Sequence, residues 1–328
     1  MTRLTTPPPT APPSALEHIA CVICGASAGD LVFAGPDLLH PSAERFQLER
    51  CTRCGHFYQN PRPTVAAIDR YYPSDYISFQ TAIEDEPNLL RRLERRYGRW
   101  MRSSRIQRAA GRPGRLLDIG CATGIFLDSM RRLGWQVEGV EPTASAAAYA
   151  RERFGLKIFE GRLEDAGYPD ASFDAISLWD VLEHVHDPRL VIDEVARILR
   201  PGGLLIINIP NPDSLEARLL GEHWLGWDLP RHLNLFSPPQ LRSFLASKGL
   251  QVERIRSFTA GYSLLLLSLE QRWLAAGHGR GWLLRLLRSW PARLPAKLYY
   301  SGPANWFNLS SAMIVFARKN IIPLPNAE

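Results

Sequence analysis

From residue 111 onward, short apolar runs alternate with stretches of helical periodicity. Arg115 to Ile119, Gln136 to Val140, residues 156–159, Phe173 to Trp179 and Leu204 to Ile209 each read as a buried strand. A helix follows the first strand through Leu133, with Ile125, Phe126 and Met130 opening its apolar pattern, and a second runs from Thr143 to Phe154. A third starts at Asp187-Pro188, an N-cap acid before a proline suited to the first helical position, and stops at Arg200-Pro201-Gly202-Gly203. Pro238 to Lys248 is a further helix, and Leu250 to Phe258 and Asn308 to Ala317 supply the last two strands. Regular alternation of this length predicts an α/β fold with a doubly wound, mainly parallel, seven-stranded sheet. Such sheets bind ligands at the carboxyl ends of their strands, where Asp118, Glu141, Asp180 and Asn208 fall.

The residues ahead of this domain follow other patterns. Residues 1–16, with five prolines and no apolar core, read as a disordered tail. Cys21-x-x-Cys24 and Cys51-x-x-Cys54 are 26 residues apart, and Gly25 and Gly55 follow the second cysteine of each pair. That spacing predicts a zinc ribbon over residues 17–62, closed by four thiolates and therefore structural. The alternative is two reduced or redox-active pairs. On the ribbon reading, strong chelation unfolds this unit and leaves the rest largely intact. Residues 63–110 form a helical linker or cap. Thr64 caps a helix through Tyr71, and Tyr71-Tyr72-Pro73-Ser74-Asp75-Tyr76 is an aromatic turn that either covers the site or packs the two units together. Asn88 to Ala110 is a helix carrying eight arginines from Arg91 to Arg108, with Leu90, Leu93, Tyr97 and Trp100 as its buried stripe. Those arginines are a solvated face or a contact for nucleic acid or anionic lipid.

Apolar content of 45% is that of a folded protein, and the net charge of +6 permits an anionic partner without demanding one. No run has the pattern of a secretory leader or the length of a membrane span, so a cytoplasmic protein is expected.

Candidate chemistry begins at Leu117-Asp118-Ile119-Gly120-Cys121-Ala122-Thr123-Gly124. A strand, a glycine turn and a helix start make a cradle in which a ligand approaches the backbone. The Gly-x-x-x-Gly spacing is not that of a dinucleotide site, and a carboxylate two residues before the first glycine repels a pyrophosphate but suits a cation. Glu141, ending the next strand, is placed to take both hydroxyls of a ribose. The pair fits a nucleoside carrying positive charge, such as S-adenosylmethionine. Here the chain resembles the class I S-adenosylmethionine-dependent methyltransferases, with Ala122 at the middle glycine of their first motif. The resemblance implies their Rossmann-like fold and a cofactor site formed by Asp118, Gly120, Cys121, Ala122, Gly124, Glu141, Leu163, Glu164 and Trp179. Cys121 serves there as a small residue. Arg162 stands where the family often has an acid for the adenine, leaving that contact to Leu163 backbone or Glu164.

Methyl transfer requires donor and acceptor aligned in a dry pocket and, for some acceptors, a general base. Asp180-Val181-Leu182-Glu183-His184 closes the fourth strand, and a helical turn puts Asp180, Glu183 and His184 on one face. His184, oriented by Glu183 or Asp180, and His232 from the loop after strand five are the candidate bases; packing alone is the other reading. Some relatives bind a divalent ion near this turn, and Asp180, Glu183, His184 and His232 offer a comparable ligand set. No Asn/Asp-Pro-Pro-Tyr follows strand four, which counts against methylation of adenine bases.

The stretch from Trp224 to His232 resembles the zinc-ribbon-bearing group that includes sugar C- and O-methyltransferases. A small hydroxylated acceptor, a sugar or a glycan- or lipid-linked metabolite, is therefore expected. A zinc-ribbon RNA methyltransferase and a non-catalytic cofactor-binding module are the alternatives. Between the last two strands lies an insertion, residues 262–305, in which Gln271 to Lys297 hold five arginines, a lysine and no acid. Trp273, Trp282 and Trp290 alternate with these cations. The segment either lies on an anionic membrane surface or covers the sheet edge or a homodimer interface.

Overall fold

The computed structural model describes residues 15–40, 43–72, 82–257, 261–278, 289, 298–300, 302–307 and 309–321. In chain order the strands are β1 (Leu16–Glu17), β2 (Gly29–Gly35), β3 (Phe46–Cys51), β4 (Phe57–Gln59) and β5 (Arg62–Pro63), followed by helix α1 (Leu89–Ala110). Then come β6 (Arg115–Ile119), α2 (Ile125–Arg132), β7 (Gln136–Glu141), α3 (Ala144–Phe154), β8 (Lys157–Glu160), β9 (Phe173–Trp179), α4 (Pro188–Ile198) and β10 (Leu199–Pro210). After α5 (Leu215–Leu220), β11 (Asn234–Leu235), α6 (Pro238–Ser247), β12 (Leu250–Ser257) and α7 (Gly261–Ala275), a short helix α8 (Pro303–Trp306) leads into β13 (Ala312–Lys319).

Seven strands form one sheet in the order β12-β13-β10-β9-β6-β7-β8. Strand β13 runs antiparallel to both neighbours, while the pairs from β10 to β8 are parallel. The expected fold class is therefore the observed one. Successive strand residues face opposite sides, so the sheet separates two cores. Leu117, Ile176, Leu205 and Ile207 pack with Ile192 and Val195 of α4 and Leu241 of α6. Leu116, Ala175, Leu204 and Ile206 pack with Ile106 of α1, Leu127 and Met130 of α2 and Ala147 of α3. Leu116 and Leu117 are fully buried, and each such side chain contributes about 1.5–3 kcal/mol. Asp187 caps α4 as anticipated, its carboxylate accepting from Arg189 N at 2.9 Å, with proline next in line.

The N-terminal ribbon is part of the same body. Its sheet runs β11-β4-β3-β2, so the fourth strand comes from the loop after β10. Asn234 and Leu235 pair with Tyr58 and Phe57. Phe46, Leu48 and Tyr71 share a core with Leu220, Trp224, Trp227 and Leu235. Trp224 is fully buried, and its indole N–H donates to Ser311 Oγ at 3.0 Å. Because residues 176 and 178 positions later in the chain complete its sheet, chelation is expected to disturb that loop together with the ribbon.

Two local expectations are corrected. Residues 64–71 do not make an α-helix; only Ile68–Tyr71 form a single 3-10 turn. In α1, Leu93, Tyr97 and Trp100 face outward, 51%, 59% and 57% exposed, while Ser103 and Ile106 are buried. The helix meets α2 and β10 chiefly through its C-terminal half, where Arg102 stacks over Trp179, while Arg96 and Arg108 are exposed. The Leu90 side chain lies outside the described residues. So do residues 73–76 of the aromatic turn and residues 279–288, 290–297 and 301 of the insertion. Among the described residues, no helix is long and apolar enough to cross a membrane.

Candidate active site

The carboxyl ends of β10, β9, β6 and β7 lie side by side along one edge of the sheet. Gly120 follows β6 with φ 68°, and a Cβ there would sit 2.5 Å from Val181 Cγ2, so the turn requires glycine. Gly124 (φ 77°) caps α2, and a Cβ would strike Leu156 and Ala150. Ala122 stands between them at φ 48°, a left-handed conformation that costs a side-chain-bearing residue about 1–2 kcal/mol. Cys121 points inward, its sulfur filling the space beside Gly139. Asp118 is buried and accepts from Ser177 Oγ at 2.6 Å. Burial pushes its carboxyl up to about 7, against the opposing pull of that hydrogen bond and of Arg102. Glu141, also buried, accepts from Ala122 N at 2.8 Å and Thr143 N at 2.9 Å. Leu163 is buried at the start of a 3-10 turn and Glu164 is exposed.

Trp179 makes a T-shaped contact with Phe126, and the Arg102 guanidinium lies 4.8 Å from its ring centroid. The Arg102 charge acts on Asp118 and Asp180 together. A cation above two carboxylates and an indole suits the amino-acid end of a cofactor such as S-adenosylmethionine, whose own carboxylate needs a partner. Only the fold brings Arg102 here; in sequence it was one of eight arginines.

Beyond β9 the chain turns at Asp180, whose φ of 55° breaks the expected common face. Asp180 instead accepts from Asn208 Nδ2 at 2.6 Å on β10. The groups that do converge are Glu183, His184 and His232, with one donor atom of each within 4.8 Å of the others. The His184 and His232 rings meet edge to face, centroids 4.7 Å apart. His184 Nδ1 lies 3.0 Å from Arg231 O, and His232 Nδ1 lies 2.9 Å from Gly226 O. A carbonyl only accepts, so each Nδ1 carries the proton and each Nε2 keeps its lone pair. Burial keeps both rings neutral, pushing His184 down to about 3 and His232 below its ordinary value. Glu183 is buried, its Oε2 has no hydrogen-bond partner among the described residues, and burial with the nearby Asp180 charge holds its carboxyl well above the usual range. Neutral imidazoles with free lone pairs beside an uncompensated carboxyl are the chemistry of a divalent-cation site.

Further polar groups frame this cluster. Tyr72 Oη is 2.9 Å from His184 Nδ1. Arg231, fully buried, binds Asp37 and Asp228. Leu233 N and Asn234 N donate to Glu183 O, and Asn234 Nδ2 donates to Val185 O. His56 donates through Nε2 to Asn234 Oδ1 at 3.0 Å.

The four ribbon cysteines converge as their spacing predicted. The Cys21–Cys54 and Cys24–Cys51 sulfurs are 3.7 and 3.5 Å apart, and none is in a disulfide. Zinc–sulfur bonds of ~2.3 Å in a tetrahedron put sulfurs about 3.8 Å apart, so the set fits a structural zinc. Burial pushes the Cys21 thiol up to about 11, and a cation at the centre is what would hold these sulfurs as thiolates.

A family profile described as "Methyltransferase domain" matches residues 90–255, just over half of the 328-residue chain. The chain belongs to that family. Its fold and motif make it a member of the class I S-adenosylmethionine-dependent methyltransferase family. The methyltransferase is 31% identical over 153 residues to a ubiquinone biosynthesis O-methyltransferase of Xanthomonas oryzae pv. oryzae, a match covering 43% of this chain and 64% of that protein. It is 35% identical over 152 residues to a protein of the same name from Maricaulis maris, covering 42% and 59%. The similar segment thus spans less than two thirds of these relatives. A crystal structure from Galdieria sulphuraria, assigned provisionally as a sarcosine dimethylglycine methyltransferase, superposes with a TM-score of 0.50. That match, at 17% identity, covers 77% of this chain and 98% of the other and shows the fold alone.

Proposed function

We propose that the methyltransferase transfers a methyl group from S-adenosylmethionine to a hydroxyl oxygen of a small acceptor bound against Glu183, His184 and His232. The observation that carries this reading is the pairing of two neutral, Nδ1-protonated histidines with the buried Glu183 carboxyl, whose Oε2 has no hydrogen-bond partner among the described residues. A base held down to about 3 accepts a proton poorly at neutral pH, since general bases work best with a pKa near the operating pH. The same imidazole is a good metal ligand. Glu183, His184 and His232 would hold the cation, which when bound lowers the pKa of a coordinated hydroxyl. Asp118, Glu141 and Arg102 hold the donor, and the aromatic walls from Trp179 and Phe126 exclude water. The names of the two O-methyltransferase relatives support oxygen as the methylated atom. A sugar or a glycan- or lipid-linked metabolite, the acceptor expected from the resemblance, offers such hydroxyls.

The test is methyl transfer from labelled cofactor to a panel of catechols and sugars, with product masses read out. Transfer should stop when loosely held divalent ions are removed with zinc retained, and return with Mg²⁺ or Mn²⁺. Equal O-methylation with and without those ions overturns the cation role; methylation of amines alone overturns the acceptor class. Peripheral contact with anionic bilayers through residues 272–297 is a further part of the proposal and rests on sequence, since most of that segment lies outside the described residues. Sedimentation with anionic liposomes at low salt tests it, and protein left in the supernatant refutes it.

A further inference from the structure

We infer that Arg231, held between Asp37 and Asp228, is the positioning residue through which the N-terminal ribbon sets the tautomer of His184 and the placement of His232. The inference rests on the acceptor-site reading above.

Arg231 is fully buried and uses its whole guanidinium. Nη1 and Nη2 donate to Asp37 Oδ2 and Oδ1 at 2.6 and 2.8 Å. Nη2 and Nε donate to Asp228 at 2.6 and 3.1 Å, and Nη1 also reaches Tyr71 O at 3.2 Å. Buried ion groups of this kind seldom add net stability over an apolar core. What such a triad does supply is fixed geometry, because a planar fork satisfied on both sides has one orientation.

That geometry is delivered to the histidines through the main chain. The carbonyl of Arg231 accepts from His184 Nδ1, and His232 is the next residue. Arg231 N and His232 N both donate to Asp228 O, at 2.8 and 3.0 Å, so the turn that carries His232 closes on the acid that grips the guanidinium. Tyr71, whose carbonyl Arg231 holds, precedes Tyr72, whose hydroxyl is the second neighbour of His184 Nδ1. Asp37 belongs to the ribbon, in the loop between β2 and β3, and is itself fixed by Leu39 N and His40 N at 2.9 Å each. The ribbon also grips the other side of the His184 turn. Arg62 Nη1 donates to His186 O at 2.6 Å, and His186 Nε2 donates to Pro63 O at 3.1 Å. Moving the β2–β3 loop therefore moves the carbonyl that fixes the His184 proton on Nδ1.

The decisive variant is Asp37→Ala, which leaves Arg231 paired with Asp228 and orphans no acid. Long-range proton–nitrogen spectra of full-length, zinc-loaded protein labelled at histidine nitrogen read the tautomer, with the His184 signals assigned by their loss in His184→Gln. Wild type should show a single Nδ1–H tautomer for His184, and Asp37→Ala a mixture of both. Mn²⁺ affinity, followed by electron paramagnetic resonance, should fall by about 10–100-fold, as when a residue supporting metal ligands is lost. Zinc content and S-adenosylhomocysteine affinity should stay as in wild type. A single Nδ1–H tautomer and wild-type Mn²⁺ affinity in Asp37→Ala overturn the inference. If wild type binds no Mn²⁺, the cation reading fails, and the tautomer comparison still decides the role of Arg231. Should Asp37→Ala lose S-adenosylhomocysteine binding through misfolding, Asp37→Asn is judged by the same two readouts.

Discussion

Asp118 gives the methyltransferase a measurable proton linkage. Burial pushes its carboxyl from 3.8 to about 7, and that shift corresponds to roughly 4 kcal/mol of penalty on the ionised form. The sign follows from the raised value. The unfolded chain releases this proton near pH 4 and the folded protein holds it to about pH 7, so this group's contribution to stability falls as pH rises between those limits. A cofactor carrying sulfonium and ammonium charge favours the carboxylate, so binding should expel the proton. If the bound cofactor keeps Asp118 ionised down to pH 5, affinity should climb about 50-fold between pH 5 and 7 and level off above. Titration calorimetry with S-adenosylmethionine in buffers of different ionisation heat, kept at or below pH 7 to avoid the α-amino group, should count close to one proton released at pH 6. Asp118→Asn should bind more weakly, with no pH dependence over that range. Wild-type affinity that is flat from pH 5 to 7 with no proton released would refute the reasoning.

Three further outcomes are expected. Strong chelation of the ribbon zinc should change the fluorescence of Trp224 and Trp227 along with the ribbon, because both indoles share a core with Phe46 and Leu48; unchanged tryptophan emission in metal-free protein would count against the shared body. His56 and His184 are held neutral by burial, at about 4 and about 3. Unfolding exposes them to protonation below pH 6.5, so between pH 6.5 and 4 stability should drop by about 1.4 kcal/mol per pH unit for each, readable by denaturant titration against His56→Gln. Arg231→Ala leaves Asp37 and Asp228 buried without their cation and should cost about 3–5 kcal/mol, measured by the same titration; a cost under 1 kcal/mol would mean that water replaces the guanidinium.

The strands of the large sheet, the Gly120 turn, the N-cap at Asp187 and the four ribbon cysteines were legible from the sequence because each is encoded locally. A strand buried on both faces is a continuous apolar run, a left-handed turn calls for glycine, and a zinc knuckle needs two cysteines at fixed spacing. The placement of Asp118 and Glu141 at strand ends followed from the same alternation. Local patterns misjudged α1, since apolar spacing identifies a helix with one distinct face but not which face the body covers. They misjudged Asp180 for a related reason: helical spacing assumes helical dihedrals, and φ of 55° sends its carboxylate to Asn208.

Sequence by itself determined the fold class, the glycine turn after β6 and the two cysteine pairs that fit a zinc, each set by residues near one another in the chain. Only tertiary structure decided that Glu183 and His184 meet His232, that Arg102 lies over Trp179, and that Asp37 grips Arg231 from 194 positions away. Those contacts depend on how the sheet stacks distant loops, and a buried charge pair leaves no periodic trace in either segment.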